Sequence, residues 1–190
     1  MTARTSPWSG VELLERAIAY TRGCLGLVTP ALMREPTPCR DWDLQALLLH
    51  MADSLESLHE AGAVRRVWVD VTTEEPADLV GTIRARACRL LADWSVRDSQ
   101  RGDVAVDGRP VTAPVLTSAG ALEVAVHGWD LATACGVSRP LPGGLATDLL
   151  RIAPPLITDA DRPGRFAPPL DPPPGGSASE QLLAFLGRQA

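Results

Sequence analysis

The chain has 190 residues, a net charge of −5, 45% hydrophobic and 22% charged residues, which suits one soluble domain with a real core. The negative net charge and the lack of any basic tract argue against nucleic acid as the main partner. No apolar run approaches the roughly 20 residues of a membrane helix. The N-terminal MTARTSPWSG also lacks the apolar stretch of a secretory signal. The expectation is a cytoplasmic protein with no membrane partner.

Residues 9–28 read as a first helix. Ser9 and Glu12 form a capping box, and Val11, Leu14, Ile18 and Leu25 share one stripe. Pro30 ends it, and Pro36-Thr37-Pro38-Cys39-Arg40 is a stiff loop. A second helix is expected from Trp42 to Glu60 with Asp41 as N-cap, its core stripe being Leu44, Leu47, Leu48, Met51, Leu55 and Leu58. Residues 63–76 connect, with a short strand at Val67-Trp68-Val69. The third helix opens near Pro76 and carries Leu79, Val80, Ile83, Ala87, Leu90, Leu91 and Trp94.

Residues 102–115 alternate as a strand pair about the turn dipeptide Asp107-Gly108, weakened by Pro110. The fourth long helix runs from Ser118 to Cys135, with Gly136 placed to cap it. A shorter helix over 144–152 leads into a wrap holding eight of the 17 prolines between 151 and 174. A last helix over 178–186 begins with a second capping box, Ser177 and Glu180. The pattern indicates an all-α fold. It is a four-helix bundle with a minor hairpin insertion, a Pro-rich C-terminal wrap over about 151–190 and a short final helix, all within one domain, 1–190.

The fourth helix is the informative one. It is apolar or small nearly all round, and besides the Cys135 thiol its only ionisable side chains are Glu123, His127 and Asp130. At about 100° per residue these three span an arc of roughly 60°. A helix without an outer charged face is buried on most sides, so its polar arc needs an internal partner. His50 supplies a candidate, on a seam of the second helix with Asp43, Ala46, Ser54 and Ser57. His50, Glu123 and His127 make a three-ligand set in which the i, i+4 pair projects from one helix side. Two imidazoles and a carboxylate suit Zn²⁺ with an open position, or a non-haem Fe(II) site. The competing reading is a buried His–carboxylate hydrogen bond with His50 unrelated.

Other residues draw milder expectations. The four cysteines, Cys24, Cys39, Cys88 and Cys135, are widely spaced and read as reduced thiols, with Cys135 a small hydrophobe. Cys39 precedes a helix whose N-terminal field would favour a thiolate, against a plain packing role. His59 reads as a solvated helix-end residue, and Trp42 and Trp129 as core or cleft wall. Asp130 is either an acceptor orienting His127 or a backbone partner. Arg86 is either solvated or able to reach a carboxylate substrate.

The elements PTPCRDWDLQALLLH and EVAVHGWDLATACG fit the patterns PxPCxxWDxxxLxxH and ExxxHxWDLAxAxG. In their order and separation they resemble the actinobacterial branch of the DinB/YfiT-like superfamily, and the N-terminal domain of mycothiol-dependent maleylpyruvate isomerases within it. The tail RFAPPLDPPP with SEQLLAFLGR is similar to the end of short members. The resemblance implies a four-helix bundle holding a divalent metal on His50, Glu123 and His127. Zn²⁺ is the first expectation, with Fe²⁺ or Ni²⁺ as alternatives. It further implies a low-molecular-weight thiol such as mycothiol and a small-molecule substrate in a transferase or isomerase, acting as monomer or homodimer. Two alternatives stand beside it: a thiol-independent metal enzyme of a biosynthetic pathway, and a non-catalytic, stress-associated metal-binding protein.

Overall fold

The capping boxes and leucine stripes find their places in a computed structural model that describes residues 9–67, 76–96, 102–162 and 165–189. Helix α1 spans Gly10–Cys24; Ser9 Oγ accepts from the Glu12 amide at 3.2 Å, and Glu12 Oε2 accepts from the Ser9 amide at 2.8 Å. Leu13, Leu14, Ala17 and Ile18 form its buried face. A single 3₁₀ turn, Leu25–Leu27, continues it.

Helix α2 spans Leu44–Val64, two residues later at its start and four longer at its end than the sequence pattern indicates. Asp43, not Asp41, is the N-cap, its Oδ1 accepting from the Ala46 amide at 2.9 Å. The Trp42 carbonyl is already taken by the amide and hydroxyl of Thr37, which holds residues 37–42 as a closed turn ahead of the helix. Arg65, in the left-handed conformation at φ 59°, ends α2. Helix α3, Leu79–Trp94, starts three residues after Pro76 because the Asp78 carboxylate accepts from the Gly81 amide at 2.8 Å.

The strand pair is present as β2 (Asp103–Val106) and β3 (Arg109–Thr112), antiparallel, with Asp107 and Gly108 both at positive φ in the turn. Strand β1, Arg66–Val67, lies parallel to β2, giving the order β1-β2-β3. Pro110 therefore sits on an edge strand, where a missing N–H is tolerated. Trp68 and Val69 lie outside the described residues.

Helix α4 spans Ala113–Ala134, beginning five residues before Ser118, since Pro114 occupies its first turn, where its missing N–H costs nothing. Gly136 ends it at φ 71°. Helix α5, Gly143–Leu156, runs past the expected end and carries Pro154 and Pro155 in its last turn. Helix α6, Ala178–Phe185, opens with the Ser177–Glu180 capping box.

Helix α4 is the axis of the bundle. α1 lies along it, α2, α5 and β3 also touch it, and α2 packs against α3. Residues on every side of α4 are buried, among them Ala121, Leu122, Ala125, Trp129, Leu131 and Ala132. No helix among the described residues is long and apolar enough to cross a membrane.

α1 and α4 approach closely at Gly128. A Cβ there would lie 3.2 Å from the Thr21 Cα, while Thr21 Oγ1 donates to the Val124 carbonyl at 2.8 Å one turn away. Gly128→Ala is therefore expected to push α1 off α4 and lower unfolding free energy by about 1–3 kcal/mol. Urea denaturation of both proteins checks this; an unchanged midpoint would show that α1 has slack.

Candidate metal centre

The two ends of the site arise from different local rules. On α2, Asp43 fixes where the helix starts and therefore which way His50 points, two turns in. On α4, the i, i+4 spacing carries Glu123 and His127 to the same side, one turn apart. Tertiary packing of α2 on α4 brings the two together.

His50 Nε2 lies 2.6 Å from Glu123 Oε1, and His127 Nε2 lies 3.1 Å from the same oxygen. Both imidazoles thus aim their Nε2 atoms at one point, and the three ligand atoms fall within 4.8 Å of one another. Ser54 Oγ, one turn beyond His50, donates to Glu123 Oε1 at 3.3 Å. The Trp42 ring leans on His50 at 4.5 Å between centroids, which restricts the imidazole.

The other nitrogen of His127 is also engaged. Nδ1 lies 2.9 Å from Asp130 Oδ2, one turn along α4. Asp130 is wholly buried, and Arg188, beyond α6, grips both its oxygens at 2.7 Å. Cys39 Sγ stands beside this group, 3.4 Å from Asp130 Oδ2 and 3.9 Å from His127 Nδ1.

A narrow apolar cleft, with an internal volume of only about 10 Å³, leads to Glu123 and His127. Ile18, Leu25, Met51, Leu55 and Ile83 wall it, and Arg22 is its sole arginine. Two nitrogens and a carboxylate oxygen converging at the base of an apolar cleft form a donor set that fits Zn²⁺ or another divalent ion with a position left open.

Residues 14–132 match the family described as the mycothiol maleylpyruvate isomerase N-terminal domain. The chain belongs to this family. An uncharacterised Mycobacterium tuberculosis protein, found in two strains, is 30% identical over 158 residues, covering 80% of this chain and 83% of the relative. Crystal structures of the mycothiol-dependent maleylpyruvate isomerase, and of a histidine-to-alanine mutant of it, share the fold at a TM-score of 0.56 and 20% identity. That likeness covers 74% of this chain and 66% of the isomerase.

All three residues singled out as ligands meet, and Asp130 takes the His-orienting position rather than a backbone one. Trp42 packs on the His50 ring and Trp129 is buried core. Two expectations change. His59 is not a solvated helix-end group: α2 continues past it, and its Nδ1 pairs with Asp93 of α3. Arg86 is neither solvated nor free for substrate, since Asp53 and Glu56 hold it. The cleft's arginine is instead Arg22, and the partner of Asp130 is Arg188; neither was singled out in the sequence. Arg22 follows the α1 stripe by one turn, a faint signal, whereas Arg188 shows only as an arginine after a glycine-terminated helix.

The cluster also sets the charge states of the metal-free site. Burial works against charge on Glu123, but His127 and His50 outweigh it and hold its carboxyl well below the ordinary range. Burial likewise disfavours an imidazolium at His127, yet Glu123 and Asp130 hold it protonated well above the usual histidine value. Because the folded value is raised, the stability from this charge is complete below the unfolded value of 6.5 and is lost as pH rises through the folded one. In chelator, His127 is expected to titrate well above the usual histidine value and to lower the melting temperature on deprotonation. NMR titration of the ring protons with parallel melts checks this, and an ordinary histidine titration at His127 would contradict the geometry.

Proposed function

We propose that this protein, acting as one unit over 1–190, holds a divalent metal, Zn²⁺ in the first instance, on His50, Glu123 and His127. We propose further that it uses a low-molecular-weight thiol of the mycothiol type in a transfer or isomerisation on a small electrophilic substrate. The observation that carries the metal reading is the convergence of three donor atoms from α2 and α4 within 4.8 Å at the base of an apolar cleft. Family membership supports the thiol.

A divalent cation at this position would supply Lewis acidity, lowering the pKa of a thiol or water at its open site. The chain's own residues do the rest. Glu123 contributes the single negative charge among the three donors, so a bound cation would keep net positive charge toward its ligand. Ser54 and the two imidazoles fix the orientation of that carboxylate. Trp42 and the Asp130 carboxylate fix the two rings. The aliphatic walls exclude water, which strengthens electrostatic attraction inside the cleft. Exposed Arg22 at the cleft provides a cation suited to a carboxylate on the thiol or its acceptor. In an isomerisation the thiolate adds to one carbon of a conjugated double bond, the resulting single bond rotates, and the thiolate leaves.

Purified protein is expected to hold about one divalent metal per chain. His50→Ala and His127→Ala should each lose most of it, because a three-donor site does not survive with two. Elemental analysis of metal-replete protein checks this, and full retention in His127→Ala would overturn the ligand assignment. Chelation should lower the melting temperature by mass-action linkage while leaving a cooperative transition.

Glu123→Gln keeps shape and one oxygen but removes the charge, so metal affinity should fall together with thiol-dependent turnover. Competition with a chromophoric chelator, alongside turnover with mycothiol and an activated alkene, measures both. Unchanged affinity with lost turnover would make Glu123 a base instead of a ligand. Turnover indifferent to thiol would replace the thiol mechanism with direct Lewis-acid chemistry.

A further inference from the structure

Arg188 lies 58 residues beyond Asp130 in the chain, yet the two are joined side to side: Nε to Oδ1 and Nη2 to Oδ2, each at 2.7 Å. Both side chains are more than nine-tenths buried. The backbone sets this aim. α6 ends in a Schellman turn in which the Gly187 amide donates to the Ala184 carbonyl and the Arg188 amide to the Leu183 carbonyl, with Gly187 at φ 74°. A Cβ on Gly187 would lie 2.7 Å from the Ala167 carbonyl oxygen, so the turn is also fixed from outside. The guanidinium is then directed to the His127 side of α4.

Its placement settles a competition. Cys39, His127 and Asp130 form a second cluster of donor atoms within 4.8 Å of one another, and alone they could hold a cation. Arg188 is that cation: it occupies both Asp130 oxygens and brings Nη2 to 3.5 Å from Cys39 Sγ. Gripped by Arg188 on both oxygens, Asp130 fixes the Nδ1 edge of the His127 ring at 2.9 Å, which turns Nε2 toward Glu123 Oε1 at 3.1 Å.

We propose that Arg188 is a positioning residue of the candidate metal centre: through a fork-to-fork grip on Asp130 it fixes the His127 ring with Nε2 facing His50 and Glu123. This rests on the reading of His127 as a ligand. The C-terminal segment after α6 is thereby part of the site, although it touches none of the three ligands named.

Arg188→Gln and Arg188→Lys test it. Loss of a partner behind a metal-bound histidine lowers metal affinity by about 10- to 100-fold. Zn²⁺ titration against a chromophoric chelator should show that loss for Arg188→Gln. Arg188→Lys, which keeps charge and packing but not the fork, should fall between it and wild type. A purely structural arginine predicts a lower melting temperature with unchanged Zn²⁺ affinity in the folded protein, and that outcome in either variant overturns the proposal. A second readout needs no metal. In chelator, nuclear Overhauser contacts of the His127 ring should report one fixed ring orientation in wild type and an averaged one in Arg188→Lys. Identical ring orientations would overturn the proposal by themselves. Wild-type protein that takes up no Zn²⁺ while the ring orientation still depends on Arg188 would sink the metal reading and leave the positioning role standing.

Discussion

Ionisable side chains inside an apolar bundle must be paired, and this requirement organises the molecule around α4. Left unpaired, a buried carboxylate or imidazolium would cost several kcal/mol. The helix carries Glu123, His127 and Asp130 on one arc, and every one is answered from another element: His50 and Ser54 from α2, Cys39 from the loop before it, and Arg188 from beyond α6. The long proline-rich return of the chain ends by delivering an arginine to the most buried carboxylate. What reads as a C-terminal wrap is, in energetic terms, the counter-ion of α4.

The surrounding bundle makes this pairing durable. α1 approaches α4 closely enough at Gly128 that no side chain fits between them, and the Thr21 hydroxyl is used up on the Val124 carbonyl. Trp94 on α3 donates its indole N–H to the Leu58 carbonyl of α2, which ties the two helices together. The faces that hold His50 and His127 are therefore backed on both sides by packed leucines, among them Leu47, Leu48, Leu90 and Leu131. Packed backing of this kind restricts the side chains that the site depends on.

Membership of the mycothiol maleylpyruvate isomerase N-terminal domain family rests on residues 14–132, which include α1 to α4 nearly whole and all three converging donors. The segment from α5 onward, with Arg188, lies outside that match. The core of the site and the clamp behind it are thus carried by different stretches of the chain, and the clamp reaches the core only through folding.

Local rules in the sequence determined the capping boxes at Ser9 and Ser177, the leucine stripes of α1 to α3, the Asp107-Gly108 turn and the Gly136 cap, because each depends on residues within a few positions. The polar arc of α4 was legible for the same reason: helical periodicity alone places Glu123, His127 and Asp130 on one side. Helix starts were less so, since the shift of the N-cap from Asp41 to Asp43 depends on the Thr37 turn that claims the Trp42 carbonyl. Tertiary structure alone decided the rest. It gave His59 and Arg86 their carboxylate partners, put Arg22 at the cleft and carried Arg188 to Asp130. An arginine's sequence neighbours do not reveal which distant carboxylate it will meet, because that contact depends on how helices pack and not on any periodicity along the chain.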